Sequence, residues 1–405
     1  MRRTPVYTLV LLAFFLLFMM YPLGYVLKGA FVWNGQLSFH FFRVMFQTDF
    51  YRDVIFNSFN LAITVTLVCT VLAYPIALLL SRARVPLFGL THALLLLPLI
   101  SPPFVGVLGI RQLLSRFGSL NVLLLDTGII SEPINWLGGG NRLGIVALQV
   151  IHLVPLLYLT ISASLKNAHV TLEESALMSG ASRWRVLRTI TIPLSLPGWF
   201  AGATLVFIAS FTDLGTPLVF EYRNVVSVQI YNMLSDLNEN PVGYSFVVFT
   251  CLLSVVLFNL SKASVMTGGF SGTGRGREGS ASRQLSRPLA ALACTATLGY
   301  ATLACVPQMM VVAVACSRDW FMSVIPQVWT AHHLIEVLYH PLTARSLLIS
   351  TVLSLVASIL TVIVGLLTAF RIRRGRGPQR QLFEALSLIP LAVPGIVFAF
   401  GFVGA

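Results

Sequence analysis

The sequence predicts an all-α polytopic membrane protein with about nine transmembrane helices. Composition, run length and the placement of charge carry that expectation. The 405 residues are 56% hydrophobic and only 10% charged, unlike a soluble globular domain. Apolar runs repeatedly exceed the roughly 18 residues that mark a membrane-crossing helix. The formal net charge of +13 gathers in alternate segments between the runs, which is how basic residues are distributed in membrane proteins.

The first run, Val6 to Leu27, follows Arg2 and Arg3 and resembles a signal peptide. It is too long for one, and no small-x-small cleavage site follows. As a helix it would extend about 33 Å, against a hydrocarbon core of about 30 Å. It is expected to be a retained first span with the N-terminus in the cytoplasm. Further spans are expected at about 56–81, 89–114, 143–165, 197–220, 245–261, 289–316, 346–370 and 382–405. Pro98, Pro102 and Pro103 interrupt the third. Proline removes a backbone donor, and a carbonyl orphaned in lipid needs a partner from a neighbouring helix or water. This span should therefore face protein.

With the N-terminus inside, the cytoplasmic segments hold Arg2, Arg3, Arg82, Arg84, Lys166, Arg183, Arg185, Arg188, Lys262, Arg275, Arg277, Arg283, Arg287, Arg371, Arg373, Arg374, Arg376 and Arg380. These are 18 of the 27 basic residues, and only Glu173, Glu174, Glu278 and Glu384 offset them. The opposite side is close to neutral. Topology in a lipid bilayer accounts for the basic balance, and no nucleic-acid partner is needed.

The five cysteines (Cys69, Cys251, Cys294, Cys305 and Cys316) lie in apolar runs with no CxxC pair. Cys294, Cys305 and Cys316 recur about every three helical turns, which separates successive thiols by roughly 16 Å, too far to share an ion. The seven histidines (His40, His92, His152, His169, His332, His333 and His340) are scattered, and the adjacent His332 and His333 point in different directions. His152, close to Pro155, reads as a packed, hydrogen-bonded residue. No catalytic constellation, metal site or cofactor is expected, which argues against an enzyme.

Residues 262–288, rich in Gly and Ser with scattered Arg, read as a flexible cytoplasmic linker. Their glycines are followed by no Gly-Lys-Ser/Thr and preceded by no strand, so they form no phosphate loop. The chain beyond the linker repeats the chain before it. Pro98 and Pro390, Leu99 and Leu391, Pro102 and Pro394, Val105 and Val397, and Gly109 and Gly401 coincide at a constant offset of 292, as do His40 and His332. The runs from Ser58 and Ser346 each end in an Arg-x-Arg pair (Arg82/Arg84 and Arg371/Arg373). A tandem repeat follows: a first half at 1–261 with six spans, the linker, and a second half at 289–405 that is incomplete after its third helix.

The most informative polar stretch is Thr171 to Pro197, TLEESALMSGASRWRVLRTITIPLSLP. Thr171 and Glu174 form a capping-box pattern, so a short helix is expected from Leu172. Gly180 suits the left-handed residue that ends it. Ser182 is placed to cap a second helix over Arg183–Ile190, limited by Pro193. Small Ala176 and bare Gly180 would let another backbone approach the resulting elbow.

This stretch resembles the EAA loop of ABC importer permeases: Glu-Ala-Ala, three residues, Gly, nine residues, Ile, one residue, Leu-Pro. Glu174, Ala176, Gly180, Ile190 and Pro193 match, while Ser175 and Ile192 depart conservatively. The resemblance implies a MetI-like, type I importer fold in which this loop couples the permease to a cytoplasmic ABC ATPase dimer. It also implies a periplasmic solute-binding protein as the second partner and the bacterial inner membrane as the location. The chain carries no Walker motif, so nucleotide would bind elsewhere. The fused layout and Asp213-Leu214-Gly215-Thr216-Pro217 look most like the iron(III)-type permeases, with thiamine, polyamine and phosphonate permeases also similar.

Asp213 sits late in the fifth expected span, and a carboxylate there should face protein or a water-filled path. With Pro98 and Pro102 it is a candidate for a pathway or gate; the alternative is a helix-end Asp bonded to its own turn. Glu221, Tyr222, Arg223, Asp236, Glu239 and Asn240 are expected on the outer side, as solvated loop or as contacts for a binding protein. An ion-gradient-driven secondary transporter is the alternative function. It would need paired intramembrane acids, and Asp213 is the one acid deep in an expected span.

Overall fold

In the computed structural model, residues 6–82, 87–136, 142–167, 170–234, 241–267, 287–375 and 377–404 are described. Linker residues 268–286, together with Arg84, His169, Asp236, Glu239 and Asn240, lie outside them.

The chain begins with α1 (Val6–Phe15), a π-helical turn (Leu16–Met20) and α2 (Tyr21–Phe31), which together form one long apolar helix. A two-stranded hairpin of β1 (Val32–Trp33) and β2 (Gln36–Leu37) turns the chain into α3 (His40–Gln47). Then follow α4 (Asp49–Arg82), α5 (Phe88–Ile100), α6 (Pro103–Leu114), α7 (Ser119–Asp126) and α8 (Arg142–Asn167). The polar elbow contains α9 (Val170–Met178), α10 (Arg183–Val186) and a second π-helical turn (Leu187–Thr191), which runs into α11 (Ile192–Thr212). After α12 (Gly215–Val219), α13 (Val226–Met233) and α14 (Val242–Thr267) come α15 (Arg287–Ala315) and α16 (His332–Tyr339). α17 (Pro341–Arg374), α18 (Pro378–Ala392) and α19 (Gly395–Gly404) complete the described chain.

Among the described residues, seven helices are long and apolar enough to cross a membrane, or up to nine if each of two bent pairs is a broken span. The bent pairs correct the simple picture of the third and ninth spans. α5 and the helix after it diverge by 102°, and α18 and α19 by 93°. Pro98 lies within α5, and the backbone leaves the helix only at Ser101 and Pro102, both extended. The polar ends of α4 also extend the second span well beyond 56–81, because Asp49, Arg52 and Asp53 continue the helix outside the apolar run.

The core forms where α8 packs between α4 and α11, with Val65, Cys69, Ala73, Val154, Leu157, Tyr158, Ile161 and Val206 buried among them. Apolar helices in lipid gain little from burial itself, so close backbone approach matters. Gly198 and Gly202 of α11 face Thr160 of α8 so closely that an added Cβ would clash. The regions before and after the linker grip each other reciprocally. α15 packs on α5 and α6, and α2 packs on α19. Gly109 of α6 lies against Pro307 of α15, while Gly401 of α19 lies against the Pro22 carbonyl of α2, 2.9 Å from where a Cβ would stand.

Candidate functional site: the polar elbow and the intramembrane breaks

The elbow is built from chain-terminating chemistry. α9 contains Thr171, so the helix begins earlier than the capping-box expectation and Thr171 is not its cap. At the other end the N–H of Ala181 reaches Ala176 O at 3.0 Å and the N–H of Gly180 reaches Leu177 O at 3.1 Å. Gly180 has φ +85°, the left-handed closure expected of it. Ser182 Oγ then accepts from Arg185 N–H at 3.3 Å and caps α10. Pro193 does not limit this second helix. It occupies the first turn of α11, and the preceding ladder widens to a π-turn in which Ile192 N–H bonds Leu187 O. The widened turn lets the helical backbone continue past Pro193, which has no N–H to add to the ladder.

Glu174, Ser175, Gly180 and Pro193 are exposed, and Ala176, Ile190 and Ile192 are half-buried. Beside them Met178 is 89% exposed and Trp184 69% exposed. The spacing pattern had not singled out either residue, since exposure on an elbow is not encoded in sequence spacing. Glu173 was also missed. Its Oε1 accepts from Arg82 Nη2 at 2.9 Å and from Thr191 Oγ1 at 3.0 Å, joining the ends of α4, α9 and α11.

The interrupted third span shows where orphaned carbonyls go. Pro98 has no N–H for Leu94 O, four residues back, and Cys305 Sγ of α15 donates to that oxygen at 3.3 Å. Pro98 O is among the last four carbonyls of α5, which the helix itself leaves unpaired, and His152 Nδ1 of α8 lies 2.8 Å from it. The carbonyl can only accept, so this nitrogen carries the proton. Gln308 of α15 meets Ser101 Oγ at 3.1 Å. The span faces protein, as expected.

His152 also lines a cavity of ≈ 120 Å³ with Gln149, Leu153, Ala209 and Asp213. Asp213 Oδ2 accepts from Gln149 Nε2 at 2.9 Å, and Gln149 Oε1 accepts from Ser210 Oγ at 2.7 Å. Asp213 Oδ1 accepts from the N–H groups of Gly215 at 3.1 Å and Thr216 at 3.5 Å, the first two donors of α12. Asp213 therefore bonds its own turn and ties the α11–α12 break to α8. Pro98 reaches the same cavity through His152, whereas Pro102 does not line it. Glu221 and Arg223 are exposed, while Tyr222 packs against the core. Among the described residues, no three His, Cys, Asp or Glu side chains are arranged to hold a metal ion.

Residues 4–267 match the family model described as binding-protein-dependent transport system inner membrane component. The chain belongs to this family. Among curated relatives of this inner membrane component, the ferric transport system permease protein FbpB of Actinobacillus pleuropneumoniae is 29% identical over 259 residues, 62% of this chain and 37% of that protein. Spermidine/putrescine permease PotB of Haemophilus influenzae is 25% identical over 62% of the chain and 92% of its own length. Molybdenum permease ModB of Escherichia coli K12 is 31% identical over 46% of the chain and 79% of its own length. The match spans 37% and 34% of the length of the two FbpB relatives. A crystal structure of a bacterial ABC transporter that imports alginate shares the fold, with TM-score 0.51 and 18% identity over 65% of this chain and 95% of that one. The elbow and the Asp213 cavity thus both lie within the part of the chain that the family model covers.

Proposed function

We propose that this inner membrane component is the permease subunit of an ABC importer, moving a solute delivered by a periplasmic binding protein. A separate cytoplasmic ATPase dimer would dock on the elbow, with Glu174, Ser175, Ala176, Gly180, Ile190, Ile192 and Pro193 as its coupling residues. The observation that carries this reading is the elbow itself. It projects a Gly-closed helix, with Glu174 and Met178 exposed, from the end of the bundle that bears Lys166, Arg183, Arg185 and Arg188. That excess of basic charge supports a cytoplasmic position and an N-terminus on the same side.

Ferric iron is the favoured cargo, supported by the FbpB relatives and the Asp213 stretch; polyamine, supported by PotB, is the nearest competitor. Two homologous halves joined by the linker are supported by helix lengths. α3 and α16 are both 8 residues long, and α4 and α17 both 34, each pair 292 positions apart. The cavity beside Asp213 and the Pro98–Pro102 break would then belong to the path or its gate.

Gly180→Arg tests the docking reading. Arginine disfavours the left-handed φ and places a long cation at the contact, so membrane insertion should persist while transport-linked ATP hydrolysis is lost. Normal transport by this variant would overturn the assignment. Uptake of ferric iron, spermidine and molybdate by the assembled transporter then selects among cargoes.

A further inference from the structure

The Arg82–Glu173–Thr191 node stands apart from the residues of the coupling pattern. Glu173 and Arg82 are charged yet largely buried, at 15% and 19% side-chain exposure, and Thr191 is 4% exposed. One carboxylate oxygen, Oε1, receives both hydrogen bonds. Arg82 is the last residue of α4, a helix about 51 Å long. Thr191 closes the π-turn that feeds α11, and α11 runs unbroken from there to the Asp213 cap. Both helices flank α8, which supplies Gln149 and His152 to the cavity. α9 has few other ties to the bundle. It touches α10 and the π-turn, and its Leu172 and Met178 are exposed.

We propose that Glu173 is a positioning residue that transmits displacement of the elbow to α4 and α11 together, through the shared carboxylate oxygen. The proposal rests on the importer reading, and deepens it by naming the link between the ATPase contact and the intramembrane breaks. Glu174, one residue on, is exposed; Glu173 faces inward and holds the bundle. A charged hydrogen-bonded pair removed from most solvent constrains geometry more strongly than a surface pair, which suits a link that must carry force in two directions. α4 and α11 already pack on each other and on α8, so a pull on the shared oxygen moves them as one unit, and coupling between distant sites needs such a contiguous element that both sites bias.

The test uses the complete transporter, with its ATPase and binding protein, reconstituted in proteoliposomes. Solute uptake and ATP hydrolysis are measured on the same vesicles for wild type, Glu173→Gln, Arg82→Glu, Glu173→Arg and the double charge exchange. Glu173→Gln should retain the ATPase and hydrolyse ATP at a rate within about twofold of wild type, while solute moved per ATP falls about tenfold, within the usual span of coupling factors. Arg82→Glu should behave alike, and the double exchange should recover most of the ratio. A merely structural role would lower both rates with the amount of folded protein and leave the ratio unchanged, which overturns the proposal. Loss of the ATPase from the Glu173 variants alone would make Glu173 a docking contact and also overturn it. Wild-type vesicles showing uptake without any ATP hydrolysis would instead remove the importer reading itself.

Discussion

α4 and α17 begin 292 residues apart, and each is 34 residues long and ends in arginine, Arg82 or Arg374. α4 buries a stripe from Val54 through Leu61, Val65, Cys69 and Ala73 to Leu80 against α8 and α11. Along α17 only Thr368 is buried, among the described residues. Leucines at the same 292 offset differ likewise: Leu61 is 2% exposed and Leu353 63% exposed. Arg82 pairs with Glu173, whereas Arg374 stands 6.0 Å over the Phe370 ring. The difference follows the partners at hand: α4 meets α8 and α11, whereas positions 292 residues beyond those two helices lie outside these 405 residues. In lipid both faces are apolar, and packing rather than exclusion from water decides the contact.

The largest separation between the two regions is expected at glycines. Gly202→Leu puts a branched side chain into Thr160 and Leu157 of α8, where an added Cβ already clashes, whereas nothing lies within 4 Å of a Cβ at Gly365 on α17. The first change should lower stability by about 3 kcal/mol and the second by no more than about 0.5 kcal/mol. Thermal unfolding of the detergent-solubilised chain, followed by monodisperse peak height, reads both. Equal losses would erase the distinction between a packed and an unpacked helix.

Leucine truncation sharpens the same comparison with less strain. Leu61→Ala should cost about 2 kcal/mol, at the low end for buried leucines because no transfer from water is lost in a bilayer. Leu353→Ala, at the exposed position, should stay within about 0.5 kcal/mol. Urea or heat titrations of the two variants in parallel provide the measurement.

The smallest expected effect concerns the breaks. Pro102 and Pro394 follow Pro98 and Pro390 by the same interval, and at the first pair His152 takes the orphaned carbonyl. His152→Leu should cost about 1–2 kcal/mol in the wild-type background, because Pro98 O is left without its donor. His152→Gln, whose side-chain amide can still donate, should cost less by about 1 kcal/mol. Thermal unfolding that shows equal losses for the two variants would mean that the Nδ1 bond does not hold the break.

Parts of the site were legible because they follow from local chemistry. Gly180 reads as a left-handed helix end, Ser182 as a cap, and a proline-broken span as one that needs protein partners; each depends on a few neighbouring residues. Glu173 was not legible. Beside Glu174 it looks like a second surface acid, and only the approach of Arg82, 91 positions away, turns it inward. Cys305 gives no local signal either, since its thiol is 211 residues from Leu94, whose carbonyl it meets. Pro193 misled as a helix stop because its effect depends on whether the turn before it widens, which is a matter of where the π-turn lies.

What the sequence by itself determined is the membrane character, the approximate spans and the elbow. Periodicity, proline, glycine and charge act within a turn or two of chain, or within one span. The tertiary structure alone decided the pairing of Glu173 with Arg82 and Thr191, the convergence of His152 and Asp213 on one cavity, and the reciprocal contacts of Gly109 with Pro307 and Gly401 with Pro22. These depend on which helices lie side by side. In a bilayer that choice rests on small-residue fit and single hydrogen bonds between segments far apart in the chain.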